Sequence, residues 1–313
     1  MAMNLFIFSG QGTQYFQMGM ELYDSNDIYR KQMDDLNQIA YKLLNVSIID
    51  IIRSKKKSMP FQQLIYTHPA IFMTEVALAK TLITYGIYPD YVFGSSLGEF
   101  AAMALSGIID IEDCLRSIIQ QAQILDASCS KGGMILVAES LSVFKQQMIE
   151  SGLTLGVINS EHNYILSGNT YQINRFENWT RKQGILSFRL NVEYGFHSSA
   201  IESAKNKIIG LYDKISFSPP KTHYFSAVME KEITTFNKHY CWDILRKQIN
   251  AAAIIHRFIL NHNFIFLDLS PTDTIANLLR QTNKALPIYN FFSPFGHENE
   301  KFSKNIVSLR CFG

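Results

Sequence analysis

The sequence has few cysteines, few charged residues and no long apolar run. Its cysteines, four in 313 residues, lie far apart and have no metal-type spacing. We therefore expect neither a disulfide framework nor a zinc site, and a reducing compartment fits this usage. No segment approaches the roughly 18 continuous apolar residues of a membrane helix, and the N-terminal apolar run is too short for a signal peptide. These features predict a cytoplasmic protein without a membrane segment.

The charge balance is close to neutral. The formal net charge is +2, and charged residues make up 18% of the chain. Such a balance creates no overall field that attracts nucleic acid or a membrane surface, so neither is expected as a partner. The basic stretch at residues 53–58 is interpreted as a solvated loop. No feature of the sequence indicates an obligate assembly, and we expect a monomer.

The first part of the chain alternates between strand and helix patterns. Short apolar runs predict buried strands, and apolar periodicity or strong helix formers predict helices. The predicted strands lie at 4–8 and 89–94, and the predicted helices at 68–86, 97–107 and 111–127. This alternation favours an α/β domain with a largely parallel sheet.

A different order of elements follows at about residue 131. Four strands and two helices are predicted in the order βαββαβ, which is that of the ferredoxin-like split unit. We therefore predict a discontinuous large α/β domain formed by residues 1–130 and 194–313. A ferredoxin-like small domain, residues 131–193, is inserted into it.

The segment YVFGSSLGEFAA, residues 91–102, places Ser96 between Gly94 and Gly98 where a strand gives way to a helix. A G-x-S-x-G turn of this kind exposes its serine as a nucleophile, and the flanking positions must lack side chains to avoid a clash. The helix that follows directs its N-terminal amides at a developing oxyanion, so the N–H of Leu97 is a natural donor. The alternative is an ordinary glycine-bounded loop.

A nucleophilic serine needs a base, and the chain contains eight histidines. A histidine base activates the hydroxyl by accepting its proton. His197 follows the last predicted strand of the small domain, where the chain should return to the cleft. The alternative, which applies to any histidine taken alone, is that His197 has no catalytic role.

Several motifs together resemble one enzyme family. They are FSGQGTQYFQMG (8–19), THPAIF (67–72), GSSLGEFAA (94–102), GVINS…ILSG (156–168) and GFHS (195–198). In this order and at these distances they resemble the malonyl-CoA:acyl-carrier-protein transacylase family, over roughly residues 4 to 290. The resemblance implies an α/β-hydrolase-like large domain with a parallel sheet and an inserted ferredoxin-like small domain, in agreement with the pattern of elements.

The resemblance also implies a catalytic apparatus. Ser96 would attack a thioester, and His197 would act as general base and then as general acid. Gln11 of the GQG turn would join Leu97 in an oxyanion hole made of backbone N–H groups. Family members orient the histidine with a backbone carbonyl, and Gln248 in RKQINAAAI is our candidate for that residue.

Three further positions bear on the substrate pocket. Asn159 matches a family asparagine that lines the cleft, although a turn residue at a strand end is an equal interpretation of the residue alone. His68 stands where a glutamine is usual, and is either a second cleft histidine or a residue that caps or packs the start of a helix. Phe196 precedes the dyad histidine, as in members that accept unbranched acyl units.

The main departure from the family concerns charge. Malonyl-specific members carry an arginine in the helix region after the elbow, whose guanidinium grips the free malonyl carboxylate. The matching position here is Gln121. Arg116 precedes it in the same predicted helix and lies off the helix face that carries Gln121. A carboxylate buried without a counter-charge costs several kcal/mol, so we expect malonyl selection to be lost.

These observations predict an acyl hydrolase similar to the free-standing branch of the family found with trans-acyltransferase polyketide synthases. It would remove acetyl and other stalled acyl groups from an acyl carrier protein. The phosphopantetheine arm belongs to the substrate, and neither a cofactor nor a metal is expected. The first alternative is a transacylase that loads malonyl or another acyl unit from CoA onto a carrier protein. A non-catalytic carrier-binding module and an esterase of small free esters are the remaining alternatives.

Overall fold

The computed structural model of the chain describes residues 2–261 and 263–310. Cys311, one of the cysteines considered above, lies outside the described residues. The strands are β1 (Met3–Phe8), β2 (Tyr91–Gly94), β3 (Gly132–Val137), β4 (Thr154–Ser160), β5 (Asn163–Asn169), β6 (Ser187–Arg189), β7 (His223–Ser226), β8 (Lys231–Glu232), β9 (Ile249–Asn250), β10 (Phe264–Asp268) and β11 (Ile288–Asn290). The helices are α1 (Met20–Ser25), α2 (Asp27–Leu44), α3 (Ile48–Arg53), α4 (Leu64–Thr84), α5 (Gly98–Leu105), α6 (Ile111–Ser128), α7 (Leu141–Glu150), α8 (Thr170–Gln183), α9 (Lys205–Leu211), α10 (Lys238–Arg246), α11 (Ala251–Asn261), α12 (Thr274–Thr282) and α13 (Glu298–Arg310). A 3-10 helix, Ser199–Ala204, precedes α9.

The first sheet has the strand order β11-β10-β1-β2-β7-β8, and its neighbouring strands are parallel except for the pair β7 and β8. β1 lies inside this sheet and is apolar along LFIF. Phe6 and Phe8 pack into one apolar cluster, while Leu5 and Ile7 pack into another on the opposite face. A parallel strand covered on both faces requires such a continuous apolar run, and the predicted α/β class is confirmed.

The second sheet has the order β6-β3-β5-β4-β9. β3 pairs antiparallel with β5 and β6, and β4 pairs antiparallel with β5. The elements from β3 to β6 follow one another in the order βαββαβ. β9, only two residues long, joins this sheet by pairing parallel with β4. A strand so short carries no periodic pattern, and the sequence did not predict it.

Helix α4 differs from its prediction at the start. It begins at Leu64 rather than at His68, so Pro69 lies inside the helix. Proline lacks an N–H, which removes one helical hydrogen bond. α4 is nevertheless buried along most of its length, because tertiary packing supplies most of a helix's stability in proteins. His68 is therefore not a cap at the helix start. No helix in the described ranges is both long and apolar enough to cross a bilayer.

The end of β1 packs directly on the start of α5. A Cβ added to Gly98 would lie 2.4 Å from the carbonyl oxygen of Phe8 and 2.8 Å from the backbone nitrogen of Ser9. These neighbours are backbone atoms of a buried strand, so they cannot move aside cheaply. The close approach brings the loop after β1 against the turn between β2 and α5.

Replacing Gly98 by alanine should therefore destabilise the fold. We expect Gly98→Ala to lower the free energy of unfolding by about 3 kcal/mol, the upper range for forced overpacking. Gly210→Ala is the matched control, because Gly210 is an exposed residue of α9 with space for a Cβ. That substitution should raise stability by about 0.5–1 kcal/mol. Urea unfolding followed by circular dichroism measures both, and equal stability of the two variants would contradict the packing described here.

Candidate active site

Ser96 lies at a tight turn between β2 and α5. Its φ is 54°, in the left-handed region, which few residues other than glycine adopt. A Cβ on Gly94 would lie 2.3 Å from the carbonyl oxygen of Gly98, and a Cβ on Gly10 would lie 2.8 Å from Cβ of Ser96. The segment therefore forms a strained strand–turn–helix elbow, and glycine is required at each of these contacts.

His197 reaches the serine from the segment that follows β6. Its Nε2 lies 2.9 Å from Oγ of Ser96, and its Nδ1 lies 2.7 Å from the carbonyl oxygen of Lys247. A carbonyl oxygen can only accept, so Nδ1 carries the ring proton and Nε2 is left to accept. The backbone N–H of His197 also donates to the carbonyl of Leu245 at 2.8 Å. Two backbone carbonyls of one short segment thus fix the position and the tautomer of this histidine.

The surroundings of His197 keep the imidazole neutral. Burial lowers its pKa to about 4, the hydrogen bond to the Lys247 carbonyl opposes this shift, and the positive charge of Arg246 adds to it. A neutral imidazole at physiological pH is the form that can accept a serine proton.

The prediction that Gln248 orients His197 is wrong. The Gln248 side chain donates through Nε2 to the carbonyl of Leu155 at 2.8 Å, while the carbonyl of Lys247 holds the ring. Gln248 immediately precedes β9, which pairs with β4, so its side chain is used to join those two segments. A backbone carbonyl is available from any residue, so only the fold could identify Lys247.

A narrow cleft of about 90 Å³ opens beside the two residues. Its wall is mainly apolar. The larger apolar side chains in it are Phe93, Met134, Val157, Ile165, Leu190, Phe196, Ile255, Ile275 and Leu278. The uncharged polar side chains in it are Ser9, Gln11, Thr13, Ser95, Asn159 and Thr274. Among the cleft-lining residues in 2–261 and 263–310 there is no lysine or arginine.

Three of the predicted pocket residues do line this cleft, namely Gln11, Asn159 and Phe196. The side-chain amide of Gln11 donates to Oγ1 of Thr67 at 2.9 Å, and that of Asn159 donates to Oδ1 of Asn163 at 3.0 Å. Thr67 belongs to the THPAIF motif, but the sequence did not reveal its contact with Gln11.

The structure also contains two free backbone donors near the serine. The N–H groups of Gln11 and Leu97 form no hydrogen bond with any other part of the chain that the structure describes. Leu97 directly precedes α5, at the positive end of the helix, where orphan N–H groups are usual.

His68 and Gln121 are buried and do not line the cleft, which corrects their prediction as substrate-binding side chains. They are 1% and 0% exposed and do not line the cleft. The His68 ring packs on Phe196 with ring centroids 5.9 Å apart, and burial lowers its pKa to about 3. The amide of Gln121 donates to the hydroxyl of Tyr212. The faces of α4 and α6 that carry these side chains turn toward the protein interior.

Arg116, the other positive group considered near this position, is paired with an acidic neighbour and does not line the cleft. Its guanidinium forms an ion pair with Glu112 on the same helix at 2.5 Å, and both side chains are partly exposed. Arg116 is not a cleft-lining residue. Arg246, whose charge acts on His197, is paired with Glu202, and neither it nor Arg116 is among the described residues that line the cleft.

Comparison with known proteins identifies the family of the chain. The family model described as acyl transferase domain matches residues 5–299. The chain is 35% identical to the polyketide biosynthesis acyltransferase homolog PksD of Bacillus subtilis, over 98% of this chain and 96% of that protein. It is 32% identical to the homolog BaeD of Bacillus velezensis, over 94% and 93%. Among solved structures, a loading acyltransferase from the avermectin modular polyketide synthase has a TM-score of 0.88 at 19% identity, over 98% of this chain and 99% of that one, and shares the fold.

The lowered pKa of His197 predicts an unusual pH dependence. The base must be neutral, and with a pKa near 4 it stays neutral down to about pH 5. The rate at which a fluorophosphonate labels Ser96 should therefore change less than about twofold between pH 7 and pH 5. With a histidine of the ordinary pKa of about 6.5, the labelling rate would fall roughly 25-fold over the same range.

Labelling should be measured by intact-protein mass spectrometry, with circular dichroism at each pH to show that the fold persists. Ser96→Ala serves as the unlabelled control. An acid limb centred near pH 6.5 would contradict the buried environment described for His197.

Proposed function

The chain belongs to the acyl transferase domain family, and on that premise we propose that it is an acyl hydrolase of polyketide biosynthesis. Its substrates would be acetyl and other stalled acyl groups on the phosphopantetheine thiol of an acyl carrier protein. The observation that carries the proposal is the 2.9 Å contact between Ser96 and His197 beside a cleft without a cationic side chain among its described residues.

In the first half of the reaction, Ser96 Oγ attacks the thioester carbonyl while Nε2 of His197 takes the hydroxyl proton. The oxyanion of the tetrahedral intermediate is stabilised by the N–H groups of Gln11 and Leu97, each worth about 2.7–4 kcal/mol in comparable sites. The carbon–sulfur bond then breaks, and the leaving thiolate receives the proton from Nε2. The products are a free carrier thiol and an ester on Ser96.

In the second half, water takes the place of the departed thiol. Nε2 of His197 accepts a proton from the water as its oxygen attacks the ester carbonyl, and the same donors stabilise the second oxyanion. The bond from carbon to Oγ breaks, Ser96 regains a proton from His197, and a carboxylic acid leaves.

The uncharged cleft supports neutral acyl groups over malonyl. A malonyl group would bring a second carboxylate into a wall of apolar and uncharged polar side chains. An unpaired buried carboxylate costs several kcal/mol. Gln121 is already engaged with Tyr212, and the guanidinium of Arg116 is paired with Glu112. An acetyl or longer alkanoyl group has no second carboxylate, so it can be buried in this cleft without a cation.

A transacylase is the second candidate, because the relatives PksD and BaeD are both named acyltransferase homologs. It would share the acyl-enzyme and differ in its second acceptor, a carrier thiol instead of water.

We further propose the two-domain organisation expected from the sequence, residues 1–130 and 194–313 with residues 131–193 inserted. The ferredoxin-like assignment of the insert is supported by its βαββαβ order. A cytoplasmic location and a monomeric state also belong to the proposal.

The experiment that separates the candidates follows the fate of the acyl group. The protein is incubated with acetyl-carrier protein and a second, mass-tagged carrier protein that has a free thiol. We expect free acetate and no acetylation of the second carrier, and Ser96→Ala should lower the rate by at least about 10³-fold. Ser95→Ala, which removes the neighbouring serine of the same turn, should retain activity within about tenfold of the wild type.

Acetylation of the tagged carrier faster than acetate release would contradict hydrolysis and favour transfer. Full activity in Ser96→Ala, or loss of activity only in Ser95→Ala, would contradict the assignment of the nucleophile.

A further inference from the structure

The loop after β1, residues 9–11, is held by two side chains of one helix. The N–H of Ser9 donates to Oε1 of Glu75 at 2.7 Å, and Nε2 of Gln11 donates to Oγ1 of Thr67 at 2.9 Å. Thr67 and Glu75 both belong to α4 and are eight residues apart. At 3.6 residues per turn this separation is just over two turns, so the two side chains lie on one face. Helix α4 therefore contacts both ends of the loop.

The opposite side of the same loop packs on the nucleophile elbow. The N–H of Ser95 donates to the carbonyl of Phe8 at 2.9 Å. A Cβ on Gly10 would lie 2.8 Å from Cβ of Ser96 and 2.9 Å from the carbonyl oxygen of Ser95. The loop is thus enclosed between α4 and the elbow, and a shift of either end would change the distance between Gln11 and Ser96.

The chemistry of Glu75 suits a support near an oxyanion. Its side chain is completely buried, and burial raises the pKa of its carboxyl well above the usual value. Its Oε2 is buried and has no hydrogen-bond partner among the described residues. The raised pKa favours the protonated carboxyl, which accepts from Ser9 without placing a negative charge beside the loop. Thr67, 0% exposed, is uncharged as well.

We propose that Thr67 and Glu75 are positioning residues that aim the N–H of Gln11 at the oxyanion. This inference rests on the proposed function, in which Gln11 is an oxyanion donor. Neither side chain lines the cleft, so each acts through the loop and not on the substrate. Oxyanion donors act at hydrogen-bond distance from the position that the oxyanion reaches, so a displaced loop should weaken transition-state binding more than substrate binding.

The main test compares threonines of α4. Thr67→Val removes the acceptor for Gln11 at constant volume, and Thr67→Ser restores a hydroxyl. Thr81→Val is the matched control, because Thr81 is equally buried in α4 but its hydroxyl donates only to the carbonyl of Ala77 in the same helix. The readout is acetylation of Ser96 by p-nitrophenyl acetate, which does not depend on the natural carrier protein.

We expect Thr67→Val to lower kcat by about 10–100-fold, a part of the loss caused by deleting a whole donor, with KM changed less than about twofold. The inhibition constant of a boronic acid, which forms a tetrahedral adduct with the serine, should rise in parallel. Thr67→Ser should recover most of the rate, and Thr81→Val should keep wild-type kinetics.

Variants of Glu75 provide a second test of the proposal. Glu75→Leu should show the same loss of kcat without a matching change in KM, and Glu75→Gln, which keeps a neutral acceptor oxygen, should recover most of it. If Glu75→Leu fails to fold, the Thr67 variants still decide the question. Kinetics and boronate affinity of Thr67→Val equal to those of Thr81→Val would overturn the inference alone. Unchanged acetylation of the protein in Ser96→Ala would overturn the proposed function and this inference with it.

Discussion

The hydrogen bond between Ser96 Oγ and His197 Nε2 is the contact on which the site depends. It joins residues 101 positions apart, one after strand β2 of the first sheet and the other after β6 of the second sheet. Both have left-handed backbone, with φ of 54° and 59°, at a cost of about 1–3 kcal/mol each. Neighbouring glycines leave room for these two residues. A Cβ on Gly156, for example, would lie 3.3 Å from Cβ of His197. Close packing therefore maintains the strain that aligns the two side chains.

The same burial that aligns the pair also sets its chemistry. Burial lowers the pKa of His197 to about 4, which leaves the imidazole in its proton-accepting form at neutral pH. The same low-dielectric environment would strengthen the backbone donors proposed for the oxyanion. It also makes an unpaired charge on the substrate expensive. The selectivity and the serine activation that we propose thus depend on the same burial. The difference from a malonyl site is the lack of a compensating cation among the described cleft residues.

The sequence predicted those parts of the site for which the chemistry demands a residue type. Ser96 between its glycines and His197 in GFHS belong to this group, and so does the alternation that predicted a parallel sheet. The carbonyl of Lys247 could not be predicted, because every residue offers a carbonyl. The sequence predicts His68 and Gln121 as substrate-binding residues, but the direction that a helix face takes depends on tertiary packing. Both side chains are buried and do not line the cleft. No sequence pattern identifies Thr67 and Glu75, because the role proposed for them depends on the packing of α4 against the loop after β1.

The most direct test of this account is a competition for the serine. The protein is mixed with equal concentrations of acetyl- and malonyl-carrier protein and quenched within the first turnover, and the esters on Ser96 are identified by intact-protein mass spectrometry. An excess of the acetyl ester of about tenfold or more, equivalent to about 1.4 kcal/mol, is the result that an uncharged cleft predicts. A malonyl ester formed equally fast or faster would show that a cation reaches the bound acid, and would contradict the account.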